Sequence, residues 1–115
     1  MAETSSNFEN ETKHWYSNHR GHVSLELMKG EVADAVLEAI LEMNHNVEVS
    51  DLPGFIVIEV PDRLELDAEL VRDHLGKNDW TMTDLNEIMP AFAGQIEEYT
   101  EDKIVLSRIK KLQGG

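Results

Sequence analysis

The sequence predicts one compact α+β domain in the order β-α-β-β-β-α-α-β-β, behind a disordered N-terminal tail. Three observations carry this reading. Apolar and polar residues alternate from Val23 to Leu27, the two-residue period of a strand. From Glu31 to Asn44 apolar residues recur at helical spacing. After that, strand-length apolar runs are divided by turn signals at Pro53-Gly54, Pro61-Asp62 and Thr100-Glu101-Asp102.

Residues 1–20 are polar and lack apolar periodicity, so a disordered tail is expected there. The tail nevertheless holds Phe8, Trp15 and Tyr16, which suit either folding onto a partner or, for the second pair, packing back on the domain edge. The first strand should be half-buried, with Val23, Leu25 and Leu27 facing the core and Ser24 and Glu26 facing away. Gly30 breaks it. In the following helix Val32, Val36, Ile40 and Met43 form the apolar stripe, widened by Ala33 and Leu37. Glu31, Asp34, Glu38 and Glu42 make a solvated acidic row opposite it.

Val47 and Val49 flank Glu48 in a short strand, and Phe55 to Val60 reads as a central strand because only Glu59 interrupts its apolar run. Leu64 and Leu66 alternate along the next. Three strands so close in sequence suggest an antiparallel meander. Asp67 stands where its carboxylate would cap a short helix through Leu75, with Gly76 as the residue that ends it. A second short helix is expected from Asp84 to Met89, capped by Thr83 and stopped by Pro90. Gly94 should open a strand through Ile96, and Lys103 to Ile109 the last one, with Ile104 and Leu106 on one face. Residues 21–109 form the expected domain and 110–115 a loose end.

The chain carries 23 acidic and 10 basic residues, a net charge of −13, which repels phosphate backbones and argues against nucleic-acid binding. No apolar run approaches the length of a membrane span, and Met1 to Arg20 has no secretory h-region. The chain has no Cys, which removes disulfides, thiolate metal sites and Cys nucleophiles, and fits a reducing cytoplasm. His14, His19 and His22 fall in or beside the tail, and His45 and His74 stand alone, so no metal site is expected. No Ser occupies a Gly-x-Ser-x-Gly elbow, and there is neither a Gly-x-Gly-x-x-Gly run nor a P-loop. A catalytic constellation and a bound cofactor are therefore not expected. The terminal Gly114-Gly115 allows an alternative, a ubiquitin-like carrier or modifier with an unhindered carboxylate. Against it, the first strand leads directly into a helix, whereas a β-grasp domain opens with a hairpin.

Taken in order, several segments resemble one family. They are the helix Val32 to Ile40, the strands Val47 to Asp51 and Gly54 to Ile58, the strand Leu64 to Leu66, and then Leu70 to Gly76, Met82 to Leu85 and Phe92 to Ile96. Over residues 21–109 the chain resembles the coupling, or effector, component of the soluble di-iron monooxygenases. That family includes the small regulatory proteins of toluene, alkene, phenol and methane monooxygenases. Asn44-His45-Asn46 stands where the family often has an Asn-Pro-Gly-like turn, and neither the tail nor Lys110-Lys111 aligns.

The resemblance implies a cofactor-free regulatory protein that docks on the di-iron hydroxylase component beside its active site. There it would gate substrate and oxygen, couple them to electron delivery, and compete with a ferredoxin or reductase component. By the same resemblance, Met89, Pro90, Ala91, Phe92, Ala93, Gly94 and Gln95 face the hydroxylase, with Asn44, His45 and Asn46 as a second contact. Phe92 also has a plain reading as a core aromatic, and Gly94 as a residue needed for backbone conformation alone.

Overall fold

In the computed structural model the described residues are 22–109, so the tail, with Phe8, Trp15, Tyr16, His14 and His19, and the end with Gly114-Gly115 lie outside them. Strand β1 (Val23–Met28) leads into helix α1 (Glu31–Met43), followed by strands β2 (Glu48–Leu52), β3 (Phe55–Val60) and β4 (Arg63–Asp67). Helix α2 (Ala68–Leu75), a 3-10 helix (Met82–Glu87), and strands β5 (Ala91–Ala93), β6 (Gln95–Tyr99) and β7 (Lys103–Ser107) complete the chain. The expected order holds, with one short strand added at 91–93 and the second short helix in 3-10 form.

The strands form two sheets, β2-β3-β1-β5 and β4-β7-β6. β2 and β3 form the expected hairpin, with Gly54 at φ 85, the positive value required after Pro in a type II turn. The meander stops there, correcting the three-strand reading: β4 leaves and pairs with β7 in the other sheet. A strand has two edges, and β3 has spent both, one on β2 and one on β1 across Val23↔Val60.

The core lies between the two sheets and α1. Leu25, Leu27, Ile58, Leu64, Leu66 and Leu106 meet Val36, Ala39 and Ile40 there, all nearly inaccessible. The helix buries Ala33, Ala35 and Ala39 as well as Val36 and Ile40, while Leu41 is exposed. Its buried face is thus turned toward the alanines. Small side chains let a backbone approach closely, which suits a helix held against both α2 and β4. The acidic row is solvent-exposed as expected, and Glu42 meets His74 at 2.7 Å.

Two caps differ from expectation. Asp67 precedes α2 but makes no side-chain cap, because it is still paired in β4 opposite Lys103, and the Asp102 carbonyl takes the Ala68 amide at 2.8 Å. The 3-10 helix is capped by Thr81 rather than Thr83: Asp84 Oδ2 accepts from the Thr81 amide at 3.0 Å, and the Thr83 hydroxyl meets the Thr81 hydroxyl at 2.7 Å. Gly76 ends α2 as expected, at φ 71.

Asn44 has a structural task. Its carboxamide nitrogen donates to the carbonyls of Ile40 and Glu65, both at 2.9 Å, and its oxygen accepts from the Glu65 amide at 3.0 Å. The side chain thereby imitates a neighbouring strand on the free edge of β4. Asn44→Ala is expected to leave that amide without its partner and lower stability by about 1–3 kcal/mol, read by urea denaturation. An unchanged midpoint would mean that water replaces the carboxamide without loss.

Candidate functional site

The segment 89–95 is where the chain passes from one sheet to the other. Ile88 is held at β1 by its carbonyl, which accepts from the Met28 amide at 2.7 Å, and Met89 packs on the core. Pro90 ends the helical stretch, and β5 then pairs antiparallel with β1, Ala91 opposite Glu26, Phe92 opposite Leu25 and Ala93 opposite Ser24. Strand alternation therefore splits the segment. Phe92 lies on the core side of the sheet, but on an edge strand, and keeps 43% of its surface exposed. It is not a core aromatic. Ala91 and Ala93 lie on the other face.

Gly94 makes the crossing. Its φ is 141, and a Cβ built there would stand 3.1 Å from the Ser107 carbonyl and 3.5 Å from side chains of Leu106 and Val23. Close approach, as well as backbone conformation, thus selects glycine here. β6 follows as an edge strand exposed along its whole length. A bulge between Ile96 and Glu98 adds one residue, so Ile96 and Tyr99 face the same side, opposite Leu106 and Ile104. Both remain partly in water, at 47% and 38% exposure.

Phe92, Ile96 and Tyr99 are thus three large side chains on the edges of two sheets, turned toward the core side but left uncovered. The sequence analysis selected Phe92 and passed over Ile96 and Tyr99. Their three-residue spacing hides a shared face unless the bulge is known, and nothing in the local sequence announces it.

The second group is placed apart from the first. Met89 and Pro90 follow Ile88 beside the N-terminal end of α1, whereas Asn44 lies at its other end, about 20 Å along a helix of this length. Asn44 is engaged within the domain. His45 and Asn46 are exposed, and Asn46 takes φ 59, a value Asn tolerates.

Of the polar groups, Glu65 has a lowered pKa. The Arg63 side chain, donating to it at 2.9 Å, holds its carboxyl below the usual range, helped by Lys103 at 3.8 Å and opposed by burial. The described residues contain no group of three or more His, Asp or Glu side chains placed to hold a metal. His22 meets Glu59 at 2.8 Å on β3. An open depression is lined by Val32, Lys77, Asp79, Trp80 and Glu87, together with Asp84, which is occupied in capping Thr81. No described helix is long and apolar enough to cross a membrane.

Comparison with known proteins adds to this. One chain of a phenol hydroxylase–regulatory protein complex aligns at TM-score 0.67 and 24% identity, covering 75% of this chain and 97% of its own length. A second structure of such a complex gives TM-score 0.64 and 23% identity, covering 75% and 98%. The regulatory protein B of soluble methane monooxygenase gives TM-score 0.59 and 21% identity, covering 77% of this chain and 66% of that one. At these identities the likeness is one of fold. No curated protein matches the sequence. The model of the MmoB/DmpM family matches residues 21–107, and with most of its 115 residues so matched, the chain belongs to the MmoB/DmpM family.

Proposed function

We propose that this chain is a non-catalytic regulatory component of a multicomponent monooxygenase. It docks on the di-iron hydroxylase component and couples substrate and oxygen access to electron delivery. The observation that carries the reading is the uncovered set Phe92, Ile96 and Tyr99, on strands β5 and β6 at the edges of the two sheets. Exposed aromatic and aliphatic side chains rimmed by charge are the usual anchors of a protein interface. The fold is shared with proteins described as regulatory and solved in complex with phenol hydroxylase.

Such a protein carries no cofactor of its own, in keeping with the missing Cys and phosphate loops. It works by binding one hydroxylase conformation better than another, since a ligand shifts an equilibrium only by its difference in affinity. Residues 89–95 are the main contact and 44–46 a second, with His45 and Asn46 the accessible side chains. A ferredoxin or reductase component competes for the same hydroxylase surface.

The test is a reconstituted system of hydroxylase, reductase and this chain. Addition of the chain is expected to raise product formed per NADH consumed. An unchanged ratio, together with no heat of binding to the hydroxylase, would sink the reading.

A further inference from the structure

A depression of about 560 Å³ lies beside the start of α1, between the loop after α2 and the 3-10 helix. Its floor is apolar. Val32 and Ile88 are half-buried against the core, and Trp80 is 6% exposed. Its rim is charged, with Lys77, Asp79 and Glu87 all exposed. None of these three forms an ion pair among the described residues. Asp84 adds a third carboxylate, one oxygen of which accepts from the Thr81 amide. The fold therefore uses little of this charge for its own cohesion.

Trp80 gives the depression a fixed donor. Its position is held by Arg72, which donates to its carbonyl at 2.7 Å. A buried tryptophan ordinarily satisfies its indole N–H. Here that N–H meets no acceptor among the described residues, yet it is not sealed off, since none of their fully buried side-chain nitrogens or oxygens goes unpaired. It thus belongs to the small part of the ring that water still reaches, and the depression is what Trp80 lines. A held donor on an apolar floor calls for an acceptor from outside the chain.

We propose that this depression receives a basic side chain of the hydroxylase together with the main-chain carbonyl beside it. The inference rests on the hydroxylase reading and adds a second anchor to it. The cationic head meets Asp79 and Glu87, the methylene stem covers Val32 and Ile88, and the carbonyl accepts from the Trp80 N–H. Around the depression three carboxylates face one ammonium, in a chain of net charge −13, so the local field selects a cation. A long basic side chain also fits an apolar floor beneath a wet rim, because its stem packs while its head stays at the surface. The place is continuous with the docking segment, since Ile88 is followed at once by Met89, Pro90 and then Phe92 of β5. One partner surface can cover both. Lys77 carries the same charge as the guest and opposes it.

The experiment titrates the full chain into the intact hydroxylase by calorimetry at low salt, with circular dichroism on each variant. Asp79→Asn combined with Glu87→Gln is expected to weaken binding at least tenfold and to flatten its salt dependence. Lys77→Gln is expected to tighten binding about two- to fivefold, because it removes a like charge. A general loss of structure would weaken both. Trp15→Phe leaves Trp80 as the single tryptophan, so a chain labelled with 5-fluorotryptophan reports that ring alone. Its fluorine resonance is expected to shift as the hydroxylase is added. Wild-type affinity in the double variant would overturn the proposal and leave the regulatory reading standing. So would a loss in Lys77→Gln as large as the double variant's, or an unmoved Trp80 resonance in a complex that forms. A wild-type chain that does not bind the hydroxylase at all would overturn both.

Discussion

Phe92→Asp is expected to weaken binding to the hydroxylase at least thirtyfold while leaving the free protein folded. Phe92 is 43% exposed on an edge strand, so in the free protein the new carboxylate has access to water and costs little. On docking it would be buried against an apolar partner surface. Truncating an anchor of this kind costs about 2–4 kcal/mol, and an unpaired buried charge adds to that. The control is Glu38→Gln, on the exposed acidic row of α1, which should change affinity by less than threefold. Calorimetric titration against the hydroxylase, with circular dichroism on each variant, reads the outcome. If the order is reversed, the docking face is the acidic side of α1 and the assignment of residues 89–95 is wrong. Tyr99→Ala gives a second reading of the same surface from the other sheet, with a smaller expected loss because less of that side chain is exposed.

Gly94→Val is expected to cause the largest loss of stability available from a single loop residue. Two effects act together. At φ 141 a residue with a branched Cβ is strained, and that Cβ would stand 3.1 Å from the Ser107 carbonyl, which belongs to β7 and cannot swing aside as a side chain could. A combined cost of about 3 kcal/mol would lower the melting temperature by roughly 10–20 °C in a domain of this size. Gly76→Ala separates the two effects. Gly76 has φ 71, but nothing lies within 4 Å of its missing Cβ, so only the backbone penalty of about 1–2 kcal/mol applies. Thermal melts of both variants test this, and equal shifts would show that the close approach at the crossing contributes nothing.

The two experiments probe one arrangement from different sides. Gly94 lets the chain step from the edge of one sheet to the edge of the other, and the step leaves Phe92 and Ile96 on either side of it. A variant at Gly94 that shifts β6 would also move Ile96 and Tyr99, so binding should fall with stability there. At Asn44, by contrast, the side chain is spent on Ile40 and Glu65, and its loss should reach the hydroxylase contact only through the neighbouring His45 and Asn46.

Much of the architecture was legible in the residues because it rests on local rules. Alternation in Val23 to Leu27, the helical stripe of α1, the Pro53-Gly54 turn and the Gly76 helix end each depend on neighbours within a few residues. The family was also within reach, since it is written in an ordered set of segments rather than in any single motif. What local pattern does not contain is which strand edges remain free. β4 joined the second sheet because β3 had no edge left, and β5 is too short, at three residues, to carry a period of its own. Asp67 lost its cap because a carbonyl from a distant turn reached the amide first. Likewise Asn44 reads as a turn residue until Glu65, far along the chain, appears beside it.

The same division holds at the surface proposed for docking. The sequence by itself determined that the chain is an acidic α+β domain, that 89–95 is a turn into a strand, and that Phe92 is its large apolar residue. Only the tertiary structure decided that Phe92 is uncovered rather than core, that a bulge turns Ile96 and Tyr99 to one side, and that Gly94 is required by a carbonyl 3.1 Å away. The physical reason is that exposure and close approach are properties of which elements become neighbours, and that is settled by the pairing of edges over the whole chain.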